Sequence, residues 1–114
     1  DAFQQARPDV LATVRTRLEG NDPRGFLAAY GVFAEADAEL SGRLGGIACP
    51  TLVMTADGDT GSTPAMTVAM ATAIPGARAT VLKGLRHLAP VEDPAAVCEI
   101  LAAFLVGRDH AAMT

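Results

Sequence analysis

Twice in this chain a short apolar run ends in a polar loop and gives way to a proline-led helix. That order dictates a pair of parallel strands. The first run is Cys49-Pro50-Thr51-Leu52-Val53-Met54-Thr55. Its hydrophobicity is continuous rather than alternating, which suits a strand covered on both faces in a parallel sheet. A loop from Asp57 to Thr63 follows. Pro64 then opens a helix that reaches about Ile74, with Thr63 as its expected N-cap. After Pro75-Gly76 the order recurs: Ala79-Thr80-Val81-Leu82 reads as the second strand and Gly84 to Glu92 as its loop. Asp93 caps a last helix that Pro94 begins. Val97, Ile100, Leu101, Phe104 and Leu105 form the expected core-facing stripe of that helix, Gly107 ends it, and the tail to Thr114 is expected to fray. A strand–helix–strand unit of this kind requires a right-handed crossover. Two parallel strands alone make a poor sheet. Either another segment supplies more strands or two copies pair their sheets.

The upstream part is helical. Val10, Leu11, Val14 and Leu18 recur at helical spacing between Asp9 and Leu18. Gly20-Asn21-Asp22-Pro23 stops that helix and starts the next, with Asp22 as N-cap and Pro23 at its first position. The second helix, roughly Pro23 to Ala36, carries Phe26, Leu27, Tyr30 and Phe33 on one face. These rings either line an acyl or ring pocket or pack the helix pair, and packing is the preferred expectation. A short segment ends at Gly42, and Gly45-Gly46 forms a loop. The domain reading is therefore a helical segment over 1–44 and a strand–helix–strand–helix unit over 45–114.

With 114 residues the chain has the size of one domain. Half of the residues are hydrophobic but only 4% are aromatic, so aliphatic side chains and Ala must fill any core. The net charge of -4 and the scattered basic residues argue against a nucleic-acid groove. Cys49 and Cys98 make no metal motif and sit among apolar neighbours, so they are expected to be buried thiols. No metal and no cofactor is implied. No run approaches the roughly 18 apolar residues of a membrane span. The start, Asp1-Ala2-Phe3-Gln4-Gln5, has neither the basic opening nor the apolar stretch of a signal peptide. It also lacks an initiator Met, so the expectation is a chain trimmed or cut from something longer. The expected location is the cytoplasm.

In open α/β sheets, functional groups gather in the loops beyond the C-terminal ends of the strands. Here those loops hold Asp57 and Asp59 in the first case, and Arg86 and His87 in the second. Parallel pairing of the strands sets these loops side by side and brings a carboxylate to an imidazole. A carboxylate at Nδ1 fixes the tautomer of a histidine and stabilises its imidazolium. The histidine can then take a proton from a Ser, Cys or water nucleophile. Taken singly, Asp57-Gly58-Asp59 also reads as turn chemistry and His87 as a surface histidine. His110, in the tail, reads as solvated.

The stretch Ile47 to Asp59, with Thr63-Pro64 after it, resembles the acid-bearing strand and turn of α/β-hydrolases. Ile74-Pro75-Gly76-Ala77, Val81-Leu82, His87-Leu88-Ala89-Pro90 and Glu92-Asp93-Pro94 resemble their last strand, histidine loop and terminal helix. The stretch from Asn21-Asp22-Pro23 to Asp37 resembles the end of the cap region in the 3-oxoadipate enol-lactonase-like branch. The resemblance implies an α/β fold, specifically the C-terminal half of an α/β-hydrolase preceded by cap-derived helices. It implies Asp59 as triad acid and His87 as triad base, acting on an ester or lactone. Two departures stand out. Ala56 occupies a position where the family usually has Gly, which leaves Asp57 as a rival acid. Arg86 stands where a Gly often precedes the histidine, and is either a contact for a substrate carboxylate or a solvated loop side chain. The nucleophile elbow Gly-x-Ser-x-Gly is nowhere in the chain. Ser41 and Ser62, its only serines, lack that context. The expected partner is therefore the N-terminal half of a hydrolase, which carries the nucleophile, or a second copy of this chain. The alternative is a non-catalytic α/β module that self-associates through its sheet edge.

Overall fold

The computed structural model describes residues 2–107, with the backbone alone at Ala2 and Asp37. The tail with His110, expected to fray, lies outside the described residues. The chain divides into two compact units, Asp1–Arg43 and Leu44–Thr114.

The first unit holds three helices: α1 (Ala2–Ala6), α2 (Pro8–Glu19) and α3 (Pro23–Leu40). α1 is too short for a periodicity argument to find it. α2 starts at Pro8, whose missing N–H costs nothing at a first helical position. α3 runs past Ala36 because nothing among the next residues breaks a helix before Ser41-Gly42. Its cap is the expected one, with the Gly25 N–H donating to Asp22 Oδ2 at 2.7 Å. The expected burial of the α3 rings between packed helices is not what the structure shows. Phe26, Tyr30 and Phe33 are exposed. They stand one turn apart and lie against one another, with ring centroids 6.0 and 5.9 Å apart. No described side chain of this unit is buried.

A 3-10 turn, Ser41–Gly46, runs across the boundary between the units, where a plain loop was expected at Gly45-Gly46. The second unit then holds β1 (Leu52–Ala56), α4 (Pro64–Ala73), β2 (Arg78–Leu82), α5 (Ala89–Glu92) and α6 (Pro94–Leu105). β1 begins at Leu52 rather than Cys49, because Pro50 has no N–H for a ladder. The strands pair in parallel with Leu52 opposite Arg78 and Ala56 opposite Leu82. Thr63 caps α4 by accepting from Met66 N at 3.3 Å, and Asp93 caps α6 by accepting from Ala96 N at 3.0 Å. The loop expected over Gly84 to Glu92 contains the short helix α5.

The core is small. Ala56, Leu82, Ala89 and Val97 form its centre, with Met54, Leu85, Ala96 and Ile100 packed against it. Three expectations about burial fail here. Leu101 and Leu105 are exposed, because the buried face of α6 runs through Val97 and Ala103 instead. Cys98 is exposed, being turned about 100° around the helix from Val97. Cys49 is exposed because it precedes the strand, in the lead-in to Pro50. No helix among the described residues is long and apolar enough to cross a membrane.

Candidate active site

The site lies where both strands end. Ladder-like bonding continues past the strands into both loops: Asp57 N donates to Leu82 O at 2.9 Å, and Gly58 N to Leu85 O at 3.0 Å. Asp59 N turns back to Ala56 O at 3.1 Å. Ala56 is buried in the core, so the methyl group in place of the family's glycine is accommodated by packing. Gly58 has no such latitude. A Cβ there would meet Leu85 O at 2.7 Å and Arg86 Cγ at 3.2 Å, so the two loops approach each other only across a residue without a side chain.

This approach brings Asp59 and His87 together. Asp59 is 8% exposed. Its Oδ1 accepts from Gly61 N and Ser62 N, both at 2.9 Å, and its Oδ2 lies 2.9 Å from His87 Nδ1. Thr55 Oγ1 donates to Ser62 O at 2.6 Å, which ties the acid loop back to the strand. The Ser62 N–H, then the His87 ring and the Gly61 N–H, hold the Asp59 carboxyl below the usual carboxylate range; partial desolvation opposes them. An ionised carboxylate only accepts hydrogen bonds, so Nδ1 is the ring nitrogen that donates to it, and Nε2 is left facing away from Asp59. The His87 side chain is 72% exposed. The arrangement is a histidine held in one tautomer, able to take a proton at Nε2 and to stabilise the resulting charge through Asp59.

The rival acid is engaged elsewhere. Asp57 Oδ1 accepts from Gly84 N at 2.8 Å, at the exit of β2. Arg86 is exposed, and its backbone N–H donates to Glu92 Oε2 at 3.0 Å. The sequence sets Glu92 at the end of the histidine loop and gives it no role there. Its role depends on α5, which folds inside an expected loop and carries the carboxylate back to Arg86. Ser62 takes part through its backbone, and Ser41 opens the 3-10 turn.

Two parallel strands with flanking helices are the architecture of the C-terminal part of an α/β-hydrolase fold. The relatives agree. The chain is 31% identical over 105 residues to (E)-2-((N-methylformamido)methylene)succinate hydrolase of Acinetobacter baylyi, covering 90% of this chain and 40% of that enzyme. Among solved structures it matches a thermophilic esterase from Thermogutta terrifontis, solved with malate bound, at a TM-score of 0.58 and 32% identity. That match covers 60% of this chain and 25% of the esterase. No family model matches. The chain thus has the fold of the C-terminal part of an α/β-hydrolase, is similar in sequence to a hydrolase and to an esterase, and spans 40% of the length of the curated relative it matches.

Proposed function

We propose that this chain supplies the acid and the base of a hydrolytic triad, Asp59 and His87, to an enzyme that cleaves an ester or lactone through an acyl-enzyme. The nucleophile stands on a part of the protein beyond these 114 residues, the N-terminal half of the hydrolase. The observation that carries the reading is the 2.9 Å bond from His87 Nδ1 to Asp59 Oδ2 at the ends of adjacent parallel strands. In such a triad the histidine takes the nucleophile's proton at Nε2 and returns it to the leaving group, while the acid holds the tautomer. We place the protein in the enol-lactonase-like branch on its Asn21 to Asp37 stretch, and in the cytoplasm, where two exposed thiols stay reduced.

The substrate we infer carries a carboxylate. The Acinetobacter enzyme is named for a substituted succinate, and the Thermogutta esterase was solved with malate; both are dicarboxylates. Arg86, adjoining His87, is the cation we assign to such a group.

The test is hydrolysis of carboxylate-bearing esters and lactones by the full-length protein. His87→Ala and Asp59→Asn are expected to lower kcat by about 10,000-fold, the cost of losing a triad member in other hydrolases. Variants that keep activity within about tenfold of the parent, a far smaller loss than a triad member causes, sink the assignment. A second reading is favoured by the half-buried Leu52, Val53 and Met54 of β1 in a two-stranded sheet. In that reading two copies of the chain join at this edge without catalysis. A dimer in sedimentation, with no hydrolysis by the full-length protein, would select it.

A further inference from the structure

We propose that Asp57 and Glu92, two carboxylates outside the Asp59–His87 pair, are positioning residues that fix the histidine loop and so the aim of the His87 ring. The inference rests on the reading of Asp59 and His87 as triad acid and base. A ring with 72% of its side chain exposed is not held by packing. Its orientation comes from the bond at Nδ1 and from the backbone that carries it.

That backbone is bonded at three successive residues. Gly84 N donates to Asp57 Oδ1 at 2.8 Å. Leu85 O accepts from Gly58 N at 3.0 Å. Arg86 N donates to Glu92 Oε2 at 3.0 Å, and Arg86 O accepts from Ala89 N at 3.2 Å. Asp57 lies in the acid loop two residues before Asp59, so its bond couples the acid loop to the start of the histidine loop. Glu92 reaches back from the end of α5 to the residue before His87, closing the loop from the other side. Backbone N–H groups held by charged acceptors make stronger bonds than neutral pairs. The carboxylates therefore clamp His87 between them without touching the ring. Displacing a reacting group by about 1 Å costs on the order of 100-fold in rate. Outer partners that orient metal-ligating side chains are typically worth about 10–100-fold, and we take the same scale for partners that orient His87.

The experiment compares Glu92→Ala, Glu92→Gln, Asp57→Ala and Asp57→Asn in the full-length protein. It reads kcat and KM on p-nitrophenyl acetate, and nitrogen NMR of the His87 ring, which reports which ring nitrogen carries the proton. The alanine variants are expected to lose about 10–100-fold in kcat with KM little changed. They are also expected to shift the ring from a single tautomer toward a mixture. Gln and Asn keep a carbonyl oxygen to accept the N–H and are expected to recover most of both. Folded alanine variants that keep kcat and tautomer overturn the proposal, as do Gln and Asn variants that lose as much as alanine. Asp57 is exposed, so its alanine variant keeps the test decidable if Glu92→Ala does not fold. His87→Ala is the control. If it leaves hydrolysis intact the triad reading fails, and the NMR readout, which needs no turnover, still decides the positioning role.

Discussion

In the unit Leu44–Thr114 two strands and their helices enclose Ala56, Leu82, Ala89 and Val97, whereas in the unit Asp1–Arg43 three helices enclose none of the described side chains. The difference is not one of apolar supply, since α3 carries Phe26, Leu27, Tyr30, Val32 and Phe33, all exposed. Helical spacing aligns apolar side chains on a face. A core forms only where a second face meets it, and β1 and β2 give the second unit that face. The sharpest way to break this comparison is to truncate one large side chain in each unit. Leu82, 7% exposed, sits among core neighbours, so Leu82→Ala is expected to cost about 2–5 kcal/mol in urea unfolding. Phe33, 72% exposed, is expected to cost about 0.5 kcal/mol or less as Phe33→Ala. Equal losses would mean that the first unit is held by burial after all.

Glycines sharpen the contrast by reversing its sign. Alanine at Gly58 places a Cβ 2.7 Å from Leu85 O, a backbone atom that has nowhere to go. Gly58→Ala is expected to destabilise the strand unit by about 1–3 kcal/mol, as overpacking does. It is also expected to disturb the Asp59–His87 bond, since the two loops meet across this residue. Gly31, inside α3, has nothing within 4 Å of a built Cβ. Gly31→Ala is expected to raise helicity, with a gain of about 0.5–1 kcal/mol. Circular dichroism and urea melts of the two variants check both signs. A neutral Gly58→Ala would show that the loops approach less closely than their bonding requires.

The same division explains what could be read in the sequence. The strand–helix–strand order, the parallel pairing and the caps at Asp22, Thr63 and Asp93 rest on local chemistry: proline at a first helical turn, a short polar side chain before it, an apolar run between breakers. The meeting of Asp59 with His87 followed from topology, because parallel strands put both loops at one end. What failed depended on which faces meet. Leu101, Leu105 and Cys98 share α6 with Val97, and only packing decides which of them is buried. The α3 rings have the spacing of a core stripe whether or not anything covers them. The role of Glu92 escaped notice because α5 forms within a loop, where four residues carry no periodicity. The separation of Asp57 from Asp59 likewise hangs on one hydrogen bond to Gly84, 27 residues away.

Helix caps test the comparison at its finest grain, because chemically similar caps occur in both units. Asp93 Oδ1 accepts from Ala96 N at 3.0 Å, and Asp22 Oδ2 accepts from Gly25 N at 2.7 Å. Removing either leaves an N–H without its acceptor, an intrinsic cost of about 1 kcal/mol. The consequence depends on what each helix holds. α6 buries Val97 and Ala103, so fraying its first turn loosens the core beside it. Asp93→Ala is therefore expected to lower the stability of the whole strand unit by about that 1 kcal/mol and to speed amide exchange in β1 and β2 as well as in α6. α3 buries no described side chain, so Asp22→Ala is expected to speed exchange in its own first turns and to leave the amides of β1 and β2 unchanged. Exchange that quickens throughout the strands in Asp22→Ala would show that α3 shares the cooperative unit of the core, and the contrast between the two halves would then be one of exposure alone.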